Sequence, residues 1–384
     1  MRFEFGTATR IVFGPGTFGE AGKIAREFGD RAVVVTNLEP AAVGPLAERL
    51  RESGLHCSLF GVRGEPEIET VRRGVVQAKQ ENCGVVVSIG GGSALDAGKA
   101  IAAMLTNPGE LLDYLEVVGR GEALTQPGAT FIAIPTTAGT GAEVTRNAVL
   151  ASPEHKFKVS LRSPFLLAKV ALVDPELTYD LPPAITASTG LDALTQVIEP
   201  YVCSRPNPMT DALCVEGIRR AARSLQTAFE QGRDPAARLD MSVASLFGGL
   251  ALANAGLGAV HGFAAPIGGQ FHAPHGAVCA ALLPHVMEAN VRALRQRQPA
   301  AEPLRRYDEV ARLVTGSVTA TAEAGIEWVR KLVTNLKIPG LGQYELKREH
   351  TAELVGKAAQ ASSMKANPIT LTPDELAWIL ERAL

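Results

Sequence analysis

Residues 84–105 read GVVVSIGGGSALDAGKAIAAML, and their reading decides the fold. The β-branched run Gly84–Ile89 has the composition of a strand buried on both faces. Three glycines follow, Gly90, Gly91 and Gly92, and Ala97–Leu105 continues as a helix. Consecutive glycines let backbone amides approach an anion without Cβ interference, and a helix N-terminus adds positive partial charge. A pyrophosphate is the natural guest of such a turn. Ser93 and Asp96 also have the spacing of a capping box, which is compatible with anion binding.

Working outward, Arg31–Thr36, Thr130–Ile134 and Lys169–Val173 repeat the buried-strand composition. Helix-like stretches such as Ala41–Ser53 and Ile68–Glu81 lie between the strands, so a parallel sheet covered by helices is expected. A second small-residue loop, Pro135-Thr136-Thr137-Ala138-Gly139-Thr140-Gly141, also follows a strand. Open α/β sheets place ligands at such strand ends. Gly14–Gly19 is a literal GxGxxG, but the spacing to an acidic residue lands on Asn37, so it reads as a turn into the first helix.

Beyond Leu181-Pro182-Pro183 periods near 3.6 take over, as in Thr210–Thr227, Ala237–Ala255 and Thr321–Leu336. The expected organisation is an α/β domain over residues 1–181 and an all-helical domain over 182–384. The length of 384 residues suits two domains at about 150 residues each. The longest uncharged run, Ser242–Val260, is long enough to span a bilayer but rich in Gly and Ala, and it reads as a buried helix.

Lys plus Arg number 38 and Asp plus Glu 40, so no charge excess draws the chain to nucleic acid or to a membrane. The opening MRFEFGTATR lacks the apolar core of a secretory signal. Five cysteines (Cys57, Cys83, Cys203, Cys214, Cys279) contain no CxxC pair and read as reduced thiols of a cytoplasmic protein.

Asp192 and Gln196 stand four apart on a helix-like stretch and share one face. Histidine is scarce, yet His261, His272, His275 and His285 fall within residues 261–285. A carboxylate with imidazoles suits Fe2+ or Zn2+. Thr189 and Asp192 also have capping-box spacing, so Asp192 has an alternative role as a cap.

Four segments together resemble the iron-containing, metal-dependent (group III) alcohol dehydrogenases: GGGSALDAGKA, PTTAGTGAEVTRNAVL, DLPPAITASTGLDALTQVIEPYV and GAVHGFAAPIGGQFHAPHGAVCAALLPHVMEAN. The resemblance runs nearly end to end. It implies a Rossmann-like N-terminal dinucleotide-binding domain with a parallel sheet and an all-α C-terminal domain, the architecture shared with dehydroquinate synthase. It implies NAD or NADP held by Gly90, Gly91, Gly92 and Ser93, with Asp96, Thr136, Thr137 and Thr140 near its riboses and phosphates. Asn147 and Lys158 fall where the family contacts the nicotinamide. Asp192, His261 and His275 match three of the four metal ligands, and Gln196 stands where the fourth is usually histidine. Ala265 replaces a second histidine one turn after His261, and His272 is a candidate for that lost role, as ligand or in proton transfer. Asn37 ends the second strand, where a carboxylate would repel a 2′-phosphate; NAD is permitted and NADP not excluded.

The expected activity is metal-dependent hydride transfer between a nicotinamide and a small alcohol or aldehyde, in a homo-oligomer (dimer or higher) built through Phe3–Phe13. Two other readings share the scaffold: a maleylacetate-type keto acid reductase, whose members usually carry Asn where Asp192 stands, and a nucleotide-binding module with a decayed metal site. A dehydroquinate-synthase-like lyase needs clustered basic residues, which Ala184–His285 lacks.

Overall fold

The computed structural model describes residues 2–152, 154 and 157–384. The chain divides into two compact units, Gly6–Thr137 with Gly141–Thr178, and Tyr179–Leu384 with Ala138–Thr140 and the residues up to Phe5.

The first unit is built on six parallel strands: β1 (Arg10–Phe13), β2 (Arg31–Thr36), β3 (His56–Gly61), β4 (Val85–Gly90), β5 (Thr130–Pro135) and β8 (Val170–Val173). Their order is β1-β8-β5-β4-β2-β3, which leaves β1 and β3 as edges. β4 is buried along its whole length, and β2 and β5 at all but their first residues, because helices cover both faces. The covering helices are α1 (Ala21–Arg26), α2 (Pro40–Glu52), α3 (Ile68–Gln80) and α4 (Gly92–Thr106), with a single turn, α5 (Leu111–Tyr114). β6 (Asn147–Ser152) and β7 (Phe157–Arg162) form a separate antiparallel pair. The GxGxxG at Gly14–Gly19 turns into a short 3-10 helix at Thr17–Glu20, and the Phe18 amide donates to Asp174 Oδ2 at 2.9 Å.

The second unit is helical: α6 (Pro183–Val202), α7 (Pro208–Glu230), α8 (Pro235–Asn254), α9 (Ala259–Phe271), α10 (His275–Arg297), α11 (Glu302–Thr315), α12 (Ala322–Asn335), α13 (Thr351–Gln360) and α14 (Pro373–Ala383). Its core includes Leu191, Leu194, Val197, Phe263, Val278 and Leu282. The uncharged run 242–260 is not one helix. It breaks at residues 255–258, Ala-Gly-Leu-Gly, and is shared between α8 and α9. α8 has the length and apolarity of a membrane span, yet 72% of its apolar window is buried among its neighbours.

Candidate metal centre and cofactor turn

In the α/β unit the chain order reverses between β2 and β4, the switch point at which open sheets bind ligands. Gly90 ends β4 with φ +149°, and a Cβ there would stand 2.1 Å from Asn37 Oδ1 and 2.9 Å from the Ala94 Cβ. Only glycine combines this backbone with this closeness. The Gly91 amide donates to Asn37 Oδ1 at 3.2 Å, and the Thr136 amide donates to the Gly90 carbonyl at 2.9 Å. Asn37, Gly90–Gly92, Thr136 and Thr137 thus gather where β2, β4 and β5 end. α4 begins at Gly92 with no side chain capping it. The expected capping box does not form, because Ser93 lies inside the helix.

Asp96 turns instead to the β6–β7 pair, accepting from the Val149 amide at 3.0 Å and from Lys99 Nζ at 3.2 Å. Lys99 is fully buried and also donates to Thr145 Oγ1 (2.8 Å) and the Asn147 carbonyl (2.7 Å). Burial pushes the Lys99 ammonium down and the Asp96 carboxyl up, against their mutual attraction. Burial also raises buried Glu143 to about 7. Lys158 Nζ pairs with Glu65 Oε1 at 2.9 Å. Thr140 groups with the helical unit.

In the helical unit α6 carries Asp192, Gln196 and Glu199 on one face, at spacings of four and three. Asp192 is not a cap: α6 begins at Pro183, and Thr189 Oγ1 donates within the helix to the Ile185 carbonyl at 2.7 Å. At the start of α9 the Val260 amide donates to Glu199 Oε1 at 2.8 Å, and His261 Nδ1 lies 2.6 Å from Glu199 Oε2. The ring donates through Nδ1, which leaves Nε2 facing Asp192 Oδ1 at 3.6 Å.

His272 takes a left-handed conformation at the end of α9, φ +51°, and the chain re-enters a helix at His275. A Cβ on Gly276 would stand 2.7 Å from the Ser188 carbonyl, so glycine lets the start of α10 approach α6. His275 Nε2 consequently reaches 3.7 Å from Asp192 Oδ1. One turn further, Cys279 Sγ stands 3.7 Å from His275 Nε2 and 3.9 Å from His261 Nε2.

Asp192, His261, His275 and Cys279 each present a ligand atom, all within 4.8 Å of one another. Asp192 Oδ1 is buried with no hydrogen-bond partner, and it faces two imidazole nitrogens beyond hydrogen-bond reach. Leaving a carboxylate oxygen in that state is costly unless a cation fills the gap. Three donors are buried while the His275 side chain is 36% exposed, so the cluster opens to solvent on one side. Burial pushes the Asp192 carboxyl up, but His275, His261 and Cys279 outweigh it and hold the group below its ordinary range. Burial likewise pulls His261 down, and Cys279, Asp192 and Glu199 more than reverse this. Burial pushes the Cys279 thiol up to about 12. An O, N, N, S donor set of this kind fits Zn2+ or Fe2+.

Gln196 is buried on the same face, with Nε2 donating to the Gly139 carbonyl at 2.7 Å. His272 is exposed at its turn and outside the cluster. His285 packs edge-on against Trp378 and is lowered to about 4 by burial, Arg330 and Arg382. Cys279 and Glu199 were not among the residues singled out from sequence. The signals for them were spacings: Cys279 is four after His275, and Glu199 is seven after Asp192.

Residues 8–175 match the family described as iron-containing alcohol dehydrogenase, and residues 186–384 match its C-terminal part. The chain belongs to the iron-containing alcohol dehydrogenase family. It is 38% identical over 377 residues to alcohol dehydrogenase 4 of Saccharomyces cerevisiae, covering 97% of this chain and 96% of that one. Among solved structures it superposes on a 1,3-propanediol oxidoreductase with a TM-score of 0.93, at 33% identity and full coverage of both chains. A sulfoacetaldehyde reductase from Bifidobacterium kashiwanohense, solved with NAD+, gives 0.88 at 29% identity, covering 100% of this chain and 99% of that one. As an iron-containing alcohol dehydrogenase the protein is an oxidoreductase acting on the CH–OH group of alcohols, with NAD(P) and a divalent metal as cofactors.

Proposed function

We propose that Asp192, His261 and His275 hold the divalent metal and that the turn Gly90–Ser93, with Asn37, Thr136 and Thr137, binds the dinucleotide. The observation that carries the first assignment is the buried, unpartnered Asp192 Oδ1 facing two imidazoles. A divalent metal held by these residues would supply Lewis-acid polarisation of the alcohol or aldehyde oxygen. Asp192 supplies the negative charge that retains the cation. Glu199 fixes the His261 ring and its tautomer, so that Nε2 stays aimed at Asp192. The half-exposed His275 side leaves an approach for a small substrate.

At the turn, backbone amides at the start of α4 and the helix dipole favour the pyrophosphate, and Asn37, which bonds the Gly91 amide at the same strand end, would meet the adenosine ribose. Asp96 and Lys158, engaged with Lys99 and Glu65, act by shaping the β6–β7 pair beside that turn. The protein's own contribution to the rate is alignment of the nicotinamide with the carbinol carbon and exclusion of water.

The protein works as a homo-oligomer, a role to which the edge strand β1 is suited because it is paired on one side only. Five free cysteines favour a reducing, cytoplasmic setting. The test is NADH and NADPH oxidation with a panel of short aldehydes after loading with Fe2+ or Zn2+. Asp192→Ala and His275→Ala are each expected to lower kcat/KM by at least about a thousandfold. Wild-type rates in the Asp192 variant would overturn the assignment.

A further inference from the structure

We propose that Cys279, and not Gln196, supplies the fourth protein ligand of the metal centre, completing a set of one carboxylate oxygen, two imidazole nitrogens and one thiolate sulfur. The inference rests on the reading of this cluster as the metal centre, and it assigns a ligand that the family's pattern does not.

His275 and Cys279 are four apart at the start of α10, so both project to one side of the helix. That side faces Asp192 on α6 and His261 on α9, and all four ligand atoms fall within 4.8 Å of one another. On a tetrahedral ion with metal–nitrogen bonds near 2.0–2.1 Å and a metal–sulfur bond near 2.3 Å, neighbouring donors stand about 3.3–3.6 Å apart. The separations here are 3.6 and 3.7 Å from Asp192 Oδ1 to the two imidazoles, and 3.7 and 3.9 Å from Cys279 Sγ to the same nitrogens. These four separations lie within a few tenths of an ångström of the tetrahedral values, and the other two are below 4.8 Å.

Gln196 is poorly suited by comparison. Its amide nitrogen is committed to the Gly139 carbonyl at 2.7 Å. The remaining oxygen is neutral, while a thiolate brings a full charge and a softer donor. The loss of an imidazole at position 196 is thereby offset from a different helix. Binding replaces the S–H bond by a sulfur–metal bond, and the thiol proton leaves to solvent. Sulfur ligation favours Zn2+ over Fe2+ relative to a set made only of nitrogen and oxygen.

X-ray absorption at the zinc edge reads the ligands of the 384-residue chain loaded with one equivalent of Zn2+. Wild type and Gln196→Ala are expected to show one sulfur at about 2.3 Å, and Cys279→Ser is expected to lose it while keeping the shell at about 2.0–2.1 Å. A wild-type spectrum with nitrogen and oxygen alone, or a sulfur shell that survives in Cys279→Ser, overturns the assignment of Cys279 and leaves the metal centre standing. Failure of the wild type to take up stoichiometric Zn2+ or Fe2+, or uptake unchanged in Asp192→Ala, overturns the assignment together with the reading beneath it. The wild-type spectrum decides the matter even where the serine variant folds poorly.

Discussion

His261 Nδ1 lies 2.6 Å from Glu199 Oε2, while the other oxygen of the same carboxylate takes the Val260 amide at 2.8 Å. Glu199 therefore fixes both the ring and the first turn of the helix that carries it. Outer hydrogen bonds of this kind set the orientation and basicity of a ligating imidazole. Glu199→Gln is expected to weaken Zn2+ binding by about 10–100-fold, measured by chelator competition. Unchanged affinity would show that His261 is oriented by packing alone.

Asn37 stands at the end of β2 beside the proposed cofactor turn, which makes it the position at which to test the choice between the two nicotinamide cofactors. Its Oδ1 accepts the Gly91 amide at 3.2 Å, and an aspartate can keep that bond. The added charge would face the 2′-phosphate of NADP, and like charges about 4 Å apart cost about 1 kcal/mol or more near a wet surface. Asn37→Asp is expected to lower the ratio of kcat/KM for NADPH over NADH by about tenfold. A ratio that stays fixed would place the adenosine ribose elsewhere.

Gly90→Ala combines two insults, a left-handed backbone and a Cβ 2.1 Å from Asn37 Oδ1. The expected result is a loss of about 1–3 kcal/mol in urea denaturation and loss of the stabilisation that NAD gives the wild type. Adding Asn37→Gly should restore only part of the loss, because the backbone strain and the 2.9 Å contact with Ala94 remain.

Glu143 makes stability depend on pH. Its carboxyl lies at about 7 in the fold against an ordinary 4.5, because burial disfavours the charged form. The folded chain thus keeps a proton that the unfolded chain has released. The resulting stabilisation is full below pH 4.5 and is lost as pH rises through about 7. Glu143→Gln stays neutral throughout. Its advantage over wild type should grow from near zero below about pH 4 to about 3 kcal/mol at pH 9, read from denaturant midpoints across that range. A constant difference would show that Glu143 does not titrate.

Where composition and burial coincide, the sequence is explicit. Arg31–Thr36 and the run at 84–90 are β-branched because both faces of the sheet are covered, and each forms the strand its residues favour. Tertiary packing accounts for most of the differences. α4 starts at Gly92, five residues before the helix read from sequence, since a poor helix former is tolerated where the turn needs it. The β6–β7 pair is interrupted by charge and has only a weak alternation to announce it. Asp192, His261 and His275 were legible through residue type and spacing. Cys279 was not, because a thiol within AVCAALL looks like one more small apolar side chain until the fold turns it toward two imidazoles.

Asp192, Gln196 and Glu199 ride on one uninterrupted helix, so their mutual angles are fixed by helical geometry and by no loop. Each added residue rotates whatever follows by about 100°. The stretch between positions 192 and 199 can therefore exchange side chains in the course of divergence but cannot change length by a single residue. An insertion there would carry Glu199 off the shared face, away from His261 and the Val260 amide.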